Sequence, residues 1–180
     1  GAQILPHVVI NGPAYIGRNC EIRYGSIIRG GSMGDRCVIG AHSEIKGTVL
    51  HSDVWTHGTY LGDSVVGNNV SFGTGTVTAN LRLDEGHVHS HVGGKKMSTG
   101  RIKFGTAVGN DVRVGMKVGI NPGVKIGSNS MVSSGVMVTE DISNNSYVVM
   151  KGGHMVARPT EKDVPKIDAR EEFKNEMQSK

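Results

Sequence analysis

The chain has 180 residues, 37% of them hydrophobic but only 4% aromatic, with 27 glycines and a formal net charge of +4. That length suits one sizeable domain, and the scarcity of large rings argues against a helical or sandwich core. The positive balance suits anionic ligands, but the basic residues are scattered and not interleaved with aromatics, which speaks against a nucleic-acid surface. No apolar run approaches 18 residues and no signal peptide opens the chain, so a soluble, cytoplasmic protein is expected, with no membrane partner. The Gly1-Ala2 start suggests a trimmed tag or a fragment of a longer protein.

From the N-terminus, aliphatic residues recur at every sixth position: Ile10, Ile16, Ile22 and Ile28, then Met33, Ile39 and Ile45. The same ladder resumes at Val108, Val114, Ile120, Ile126, Val132 and Val138. A second series lies four residues after the first, at Val112, Val118, Val124, Val136 and Ile142, with Ser130 as its exception. Neither the 3.6-residue helix nor the two-residue strand explains a strict six. A parallel β-helix of hexapeptide repeats does. Each hexad forms one side of a triangular coil, and three hexads, about 18 residues, close one turn. The core is then a column of Val and Ile, and the tight corners account for the many Gly, Asn and Asp residues. Cys20 and Cys37 lie nearly one turn apart and are expected as stacked, buried, reduced thiols.

The period breaks between about Leu81 and Ala107, in a long, polar, basic stretch that must leave the coil. Such loops in a regular solenoid are usually functional or form interfaces. Within it His87, His89 and His91 alternate, so an extended strand would put all three on one face, a pattern able to hold zinc. Their place in a loop excursion points to adventitious binding, and no metal is expected at the site. After Arg158-Pro159 the composition turns charged. Asp168-Ala-Arg-Glu171 reads as a capping box, and Phe173 and Met177 follow helical spacing, so a helix is expected over 168–180, capping the open end of the coil. The organisation expected is one β-helix domain over 1–158, with an excursion at about 81–107, and a charged tail over 159–180 ending in that helix.

Repeats alone give a fold and not a function. The specific stretch is His57-Gly-Thr-Tyr60-Leu-Gly-Asp63, followed by Val66-Gly-Asn-Asn-Val-Ser71-Phe-Gly-Thr74 and by Ala79-Asn80-Leu81-Arg-Leu-Asp84. It resembles the acetyltransferase domain of the bifunctional sugar-1-phosphate nucleotidylyltransferase/glucosamine-1-phosphate acetyltransferases, and the wording ANLRLDE and TGRIKFG is similar to their archaeal branch. The resemblance covers nearly the whole coil. It implies an all-β, single-stranded left-handed parallel β-helix, a homotrimer, and a site at a subunit boundary. It further implies acetyl transfer from acetyl-CoA to the amine of glucosamine-1-phosphate, giving N-acetylglucosamine-1-phosphate for UDP-N-acetylglucosamine synthesis. The Gly-rich phosphate loop of the family's nucleotidylyltransferase half has no counterpart here, so such a domain is either missing from this chain or never belonged to it.

Carried onto this sequence, the family's general base is His57, suited to the task because imidazole titrates at about pH 6.5. Glu44 would sit one turn away and orient it. Arg29 and Lys46 would bind the sugar phosphate, Tyr60 would contact it, and Lys103 would lie near the sugar. Ser71 stands where the family has an asparagine, and its shorter side chain cannot make the same amide contacts. Acetyl-CoA would be lined by Thr74, Asn80, Leu81, Met116 and Ser134, with Lys151 replacing an arginine at a nucleotide phosphate. Two other classes of reading remain open. The acceptor could be galactosamine-1-phosphate or a nucleotide-linked amino sugar, or the coil could be a non-catalytic assembly domain of a sugar nucleotidylyltransferase. A zinc-dependent hydratase would be betrayed by its metal content.

Overall fold

The computed structural model describes residues 1–178, without the side chains of 173, 174 and 176–178. The expected pairing of Phe173 with Met177 therefore lies outside the described side chains. The chain winds as a parallel β-solenoid with three flat faces, here A, B and C. Face A stacks Gln3–Ile4, Glu21–Ile22, Val38–Ile39, Trp55–Thr56, Val70–Phe72, Val112–Val114, Ser130–Val132 and Ser146–Lys151. Face B carries the first halves of Val9–Ile16, Ile27–Met33 and Glu44–Leu50, then Tyr60–Gly62, Val77–Thr78, Gly119–Ile120 and Met137–Val138. Face C carries the second halves of the same three long strands, then Val65–Val66, Ala107–Val108 and Lys125–Ile126.

Register shows the hexads at work. Gln3 pairs with Glu21, a step of 18 residues, and Trp55 with Ser71, a step of 16. On each strand the residues alternate in and out, as pleating requires: in Val112-Arg113-Val114 the valines are buried and the arginine lies between them, half-buried. Both aliphatic series point inward from Val108 to Ile142. Ser130 fills its inward place because its Oγ bonds the carbonyls of Ser128 and Ser143, each at 3.2 Å. Ile10 is the departure. It is 40% exposed, since it lies in the terminal turn with neighbours on one side only.

The corners explain the polar composition. Between faces C and A, Asn19, Arg36, Asp53, Asn69, Asp111, Asn129 and Asn145 all adopt left-handed backbone, with φ from 54° to 63°. Asn and Asp tolerate that region better than other side chains. Cys20 and Cys37 are buried on neighbouring turns and both are free. Burial pushes the Cys37 thiol up to about 12. Native protein at pH 8 is accordingly expected to give almost no reaction with an aromatic disulfide reagent, and both thiols to react on denaturation. Rapid titration of two thiols in the native state would contradict this packing.

The excursion is a step of 42 residues, from Ser71 to Arg113. It contains an antiparallel hairpin, His89–Val92 with Lys95–Ser98, turned at Gly93-Gly94. Its strand folds back on the coil. Ser90 Oγ donates to the Gly123 carbonyl at 2.7 Å, and a Cβ on Gly123 would collide with the His89 carbonyl. Only His89 and His91 of the alternating trio lie on that strand. Among the described residues, no group of three or more His, Cys, Asp or Glu is placed to hold a metal ion.

The last face-A strand turns back as His154–Pro159, and the tail then runs along the C/A corner toward the N-terminal turns. Thr160 N donates to Asn145 O, Val164 N to Asn129 Oδ1, and Lys166 Nζ to Asp111 Oδ2. The helix spans Ile167–Gln178. It does not cap the end of the coil as expected. Arg170 draws it against the side of the solenoid instead, with Cζ 3.8 Å from the Trp55 ring centroid and Nη1 donating to the Asp53 carbonyl at 3.0 Å. No helix of the described residues is long and apolar enough to cross a membrane.

Candidate active site

His57 follows the face-A strand Trp55–Thr56 at the corner where the chain turns onto face B. Its backbone is pinned by Thr59, whose Oγ1 donates to the His57 carbonyl at 3.0 Å and accepts from its N–H at 3.3 Å. The imidazole is exposed. The registers of Trp55 with Ser71, Ser71 with Arg113 and Arg113 with Met131 carry this corner from turn to turn. They put Gly58, Thr74, Met116 and Ser134 in one line parallel to the solenoid axis, with His57 one residue before that line at the same corner. Gly58 lies beneath Thr74, and Met116 N donates to Ser134 Oγ at 3.2 Å. Lys151 ends the last face-A strand on the same edge and is exposed.

The expected phosphate ligands lie on face B. Arg29 and Lys46 are register partners on neighbouring turns. Glu44 does not orient His57. Its register partner is Tyr60, on face B, and its carboxylate takes Arg29, with Nε to Oε1 at 2.6 Å. Lys46 Nζ donates to both Asp63 oxygens at 2.8 Å. Asn80 Nδ2 reaches the same carboxylate at 2.5 Å and Tyr60 Oη at 3.1 Å. Gly62 makes this possible, since a Cβ there would strike both Asn80 and Tyr60. The structure thus gathers Asn80 with Lys46 and Tyr60, away from Thr74, Met116 and Ser134. Leu81 bridges to Lys103, and Phe104 N donates to Asn80 O, which brings the end of the excursion to this network.

A cleft of about 760 Å³ opens beside His57 on face A. Ser71, Trp55, Phe72 and Arg113 line it from the coil, and Ala169 and Arg170 from the helix. Sequence reasoning missed Asp63, Trp55, Arg113 and Arg170. Asp63 lies within the His57–Asp63 motif and was within reach. The others meet only because the tail folds back. A separate hollow of about 660 Å³ on face C, lined by Val108, Lys125 and Ser143 among others, holds none of the candidate residues.

Residues 30–74 match the family model described as a hexapeptide repeat of succinyl-transferase, and 105–140 the one described as bacterial transferase hexapeptide. The bifunctional protein GlmU of Methanococcus vannielii is 37% identical over 139 residues, covering 77% of this chain and 32% of that protein. A bifunctional sugar-1-phosphate nucleotidylyltransferase/acetyltransferase of Sulfurisphaera tokodaii is 43% identical over 110 residues, 61% of this chain and 27% of that protein. The solved acetyltransferase domain of PglB from Neisseria gonorrhoeae FA1090, in complex with acetyl coenzyme A, superposes with a TM-score of 0.53 at 15% identity. That superposition covers 88% of this chain and 57% of that one, and shows the shared fold. The chain spans about a third of the length of the curated relatives it matches. By its repeats and its sequence the chain belongs to the hexapeptide-repeat family, and it corresponds to the acetyltransferase domain of the archaeal bifunctional sugar-1-phosphate nucleotidylyltransferase/acetyltransferases.

Proposed function

We propose that the chain is an acetyl-CoA-dependent N-acetyltransferase acting on an amino sugar phosphate, with glucosamine-1-phosphate the first candidate. The observation that carries this reading is one solenoid corner on which Thr74, Met116 and Ser134 stand in line, with His57 beside that line at one end and Lys151 at the other. Exposed small and polar groups in such a line suit an extended thioester, with the Lys151 ammonium at its phosphate end and the imidazole at its acyl end. The acceptor ammonium first loses one proton to solvent. As the free amine forms the C–N bond at the acetyl carbonyl, His57 takes the second N–H proton, the C–S bond breaks, and His57 gives that proton to the leaving thiolate. Backbone N–H groups of the corner stabilise the charge on the carbonyl oxygen.

Lys46, Tyr60, Asn80 and Arg29 lie on face B, whereas His57 and Ser71 look onto face A. A homotrimer in which one subunit's face A meets its neighbour's face B would join the two sets. Exposed Val9, Ile27, Val77 and Met137 on face B and Val49 and Val65 on face C are surface that copies of the chain would bury.

Kinetics with each substrate varied in turn test the map. Arg29→Ala is expected to raise KM for glucosamine-1-phosphate and to leave that for acetyl-CoA nearly unchanged. Arg29 is half-exposed and shared with Glu44, so the effect should be about tenfold, the low end for a charge-assisted hydrogen bond. Lys151→Ala should do the reverse, more weakly, because salt screens an exposed phosphate contact. Equal weakening of both substrates by both variants would mean that the residues act through assembly.

A further inference from the structure

Arg113 and Arg170 line the cleft beside His57, and among the described residues no carboxylate makes a salt bridge with either of them. Arg113 donates from Nη1 to the Asn69 carbonyl at 2.6 Å and the Val112 carbonyl at 3.2 Å, and from Nη2 to Asn69 Oδ1 at 3.0 Å and the Pro165 carbonyl at 2.8 Å. Arg170 Nη1 donates to the Asp53 carbonyl at 3.0 Å and to the same Asn69 Oδ1 at 2.9 Å. Two guanidiniums thus converge on one neutral amide oxygen. The carboxylates nearby are committed elsewhere. Asp53 holds Arg36 at 2.7 and 2.8 Å, Asp111 holds Lys166 at 2.9 Å, and Glu21 holds Arg23 at 2.8 Å.

Arg170 is only 7% exposed, and its Nη2 has no hydrogen-bond partner among the described residues. A buried cation without an ion partner is costly. The contact with Trp55 offsets part of that cost. Burial and the neighbouring Arg113 hold the Arg170 guanidinium down to about 10, the response expected of two like charges in an enclosed site. Fastening the tail does not call for this arrangement, since neutral amides would donate to the same carbonyls. The outward side chains of Val38 and Trp55 give the cleft an apolar wall, which lowers the local dielectric and strengthens any ion pair formed there. Both arginines share the cleft with His57 and Ser71.

We propose that this cleft is a second anion subsite, in which Arg113 and Arg170 bind a phosphate group of a ligand reaching toward His57. It is distinct from Arg29 and Lys46 on face B, each of which has its own carboxylate. The phosphate comes either from the acceptor itself, as in a sugar carrying a diphosphate ester, or from a separate phosphate-bearing effector. The subsite itself stands on the cleft's charge, and only its meaning for turnover rests on the function proposed above.

Calorimetric titration of the full chain with inorganic pyrophosphate at low salt tests it. Wild-type protein is expected to bind, and Arg113→Gln and Arg170→Gln to weaken binding about tenfold or more, since each removes one charge-assisted contact. Arg170→Lys separates charge from structure. Like the glutamine it loses the forked Nη donors to Asp53 and Asn69, but it keeps the charge and should retain most of the affinity. Circular dichroism and a thermal melt establish that each variant is folded. Absence of binding to wild type, equal loss in Arg170→Lys and Arg170→Gln, or loss in Arg29→Ala with binding intact in Arg170→Gln would each overturn the proposal. In the transfer assay, competition by pyrophosphate against the amino sugar phosphate assigns the subsite to the acceptor, and a fall in kcat at unchanged KM assigns it to an effector. Pyrophosphate binding without any acetyl transfer would sink the proposed function and leave the subsite standing. Transfer without binding would do the opposite.

Discussion

His57→Ala is expected to lose about 10²–10⁴-fold in acetyl transfer, the usual worth of a general base, while folding and assembling as the parent does. The physical warrant is position. The imidazole is exposed at a corner, and the hydrogen bonds that shape this corner run through the His57 backbone and Thr59, which the substitution leaves in place. The loss should fall on kcat more than on KM, since the proton leaves only as the new bond forms. Raising the pH should recover part of the rate, because more of the amine is then already free of its proton. Turnover near that of the parent at neutral pH would show that His57 is not the base.

Ile120→Asp is expected to abolish folding. Ile120 is 1% exposed, and its register partners are Thr78 on one side and Val138 on the other, both fully buried. An aspartate there has no cation within the column, and an unpaired buried carboxylate costs several kcal/mol even after relaxation. A domain of ordinary stability has about 5–15 kcal/mol to lose. Because each turn rests on the next, a defect in one turn removes the support of both neighbours. Ile120→Val should cost only about 0.5–1.5 kcal/mol and remain soluble, which separates a charge effect from simple loss of volume. Recovery of soluble Ile120→Asp protein at the parent's yield would contradict the inward register of the hexads.

What could be read from the chain beforehand follows from how each contact is encoded. The coil was legible because one inward place per hexad must be filled by an aliphatic side chain, so Val108 to Val138 announce themselves at a fixed interval. The excursion was legible as a break in that interval, and Leu81 and Lys103, near its two ends, do meet. The tail was not. Its path depends on single contacts between distant positions, such as Arg170 with Asn69 and Val164 with Asn129, which carry no period. A polar, charged helix at the end of the sequence suggested a cap, yet Trp55 and the backbone acceptors of the C/A corner bring it to the side of the coil. For the same reason nothing in the sequence marks Arg113, whose partner Pro165 lies in the tail. The motif around His57 gave the candidate base and Tyr60. It did not give the way Asp63 ties Lys46 to Asn80, because that carboxylate acts across the turns of the coil.

The central claim is that this chain transfers acetyl groups from acetyl-CoA to the amine of a sugar phosphate. Thiol release from acetyl-CoA, followed spectrophotometrically with glucosamine-1-phosphate, galactosamine-1-phosphate and unphosphorylated glucosamine as acceptors and no added metal, tests it most directly. The expected result is acceptor-dependent release with at least one sugar phosphate, little with the unphosphorylated sugar, and loss of that release in His57→Ala. Thiol release no faster than background with every acceptor, from protein shown to be folded, would contradict it.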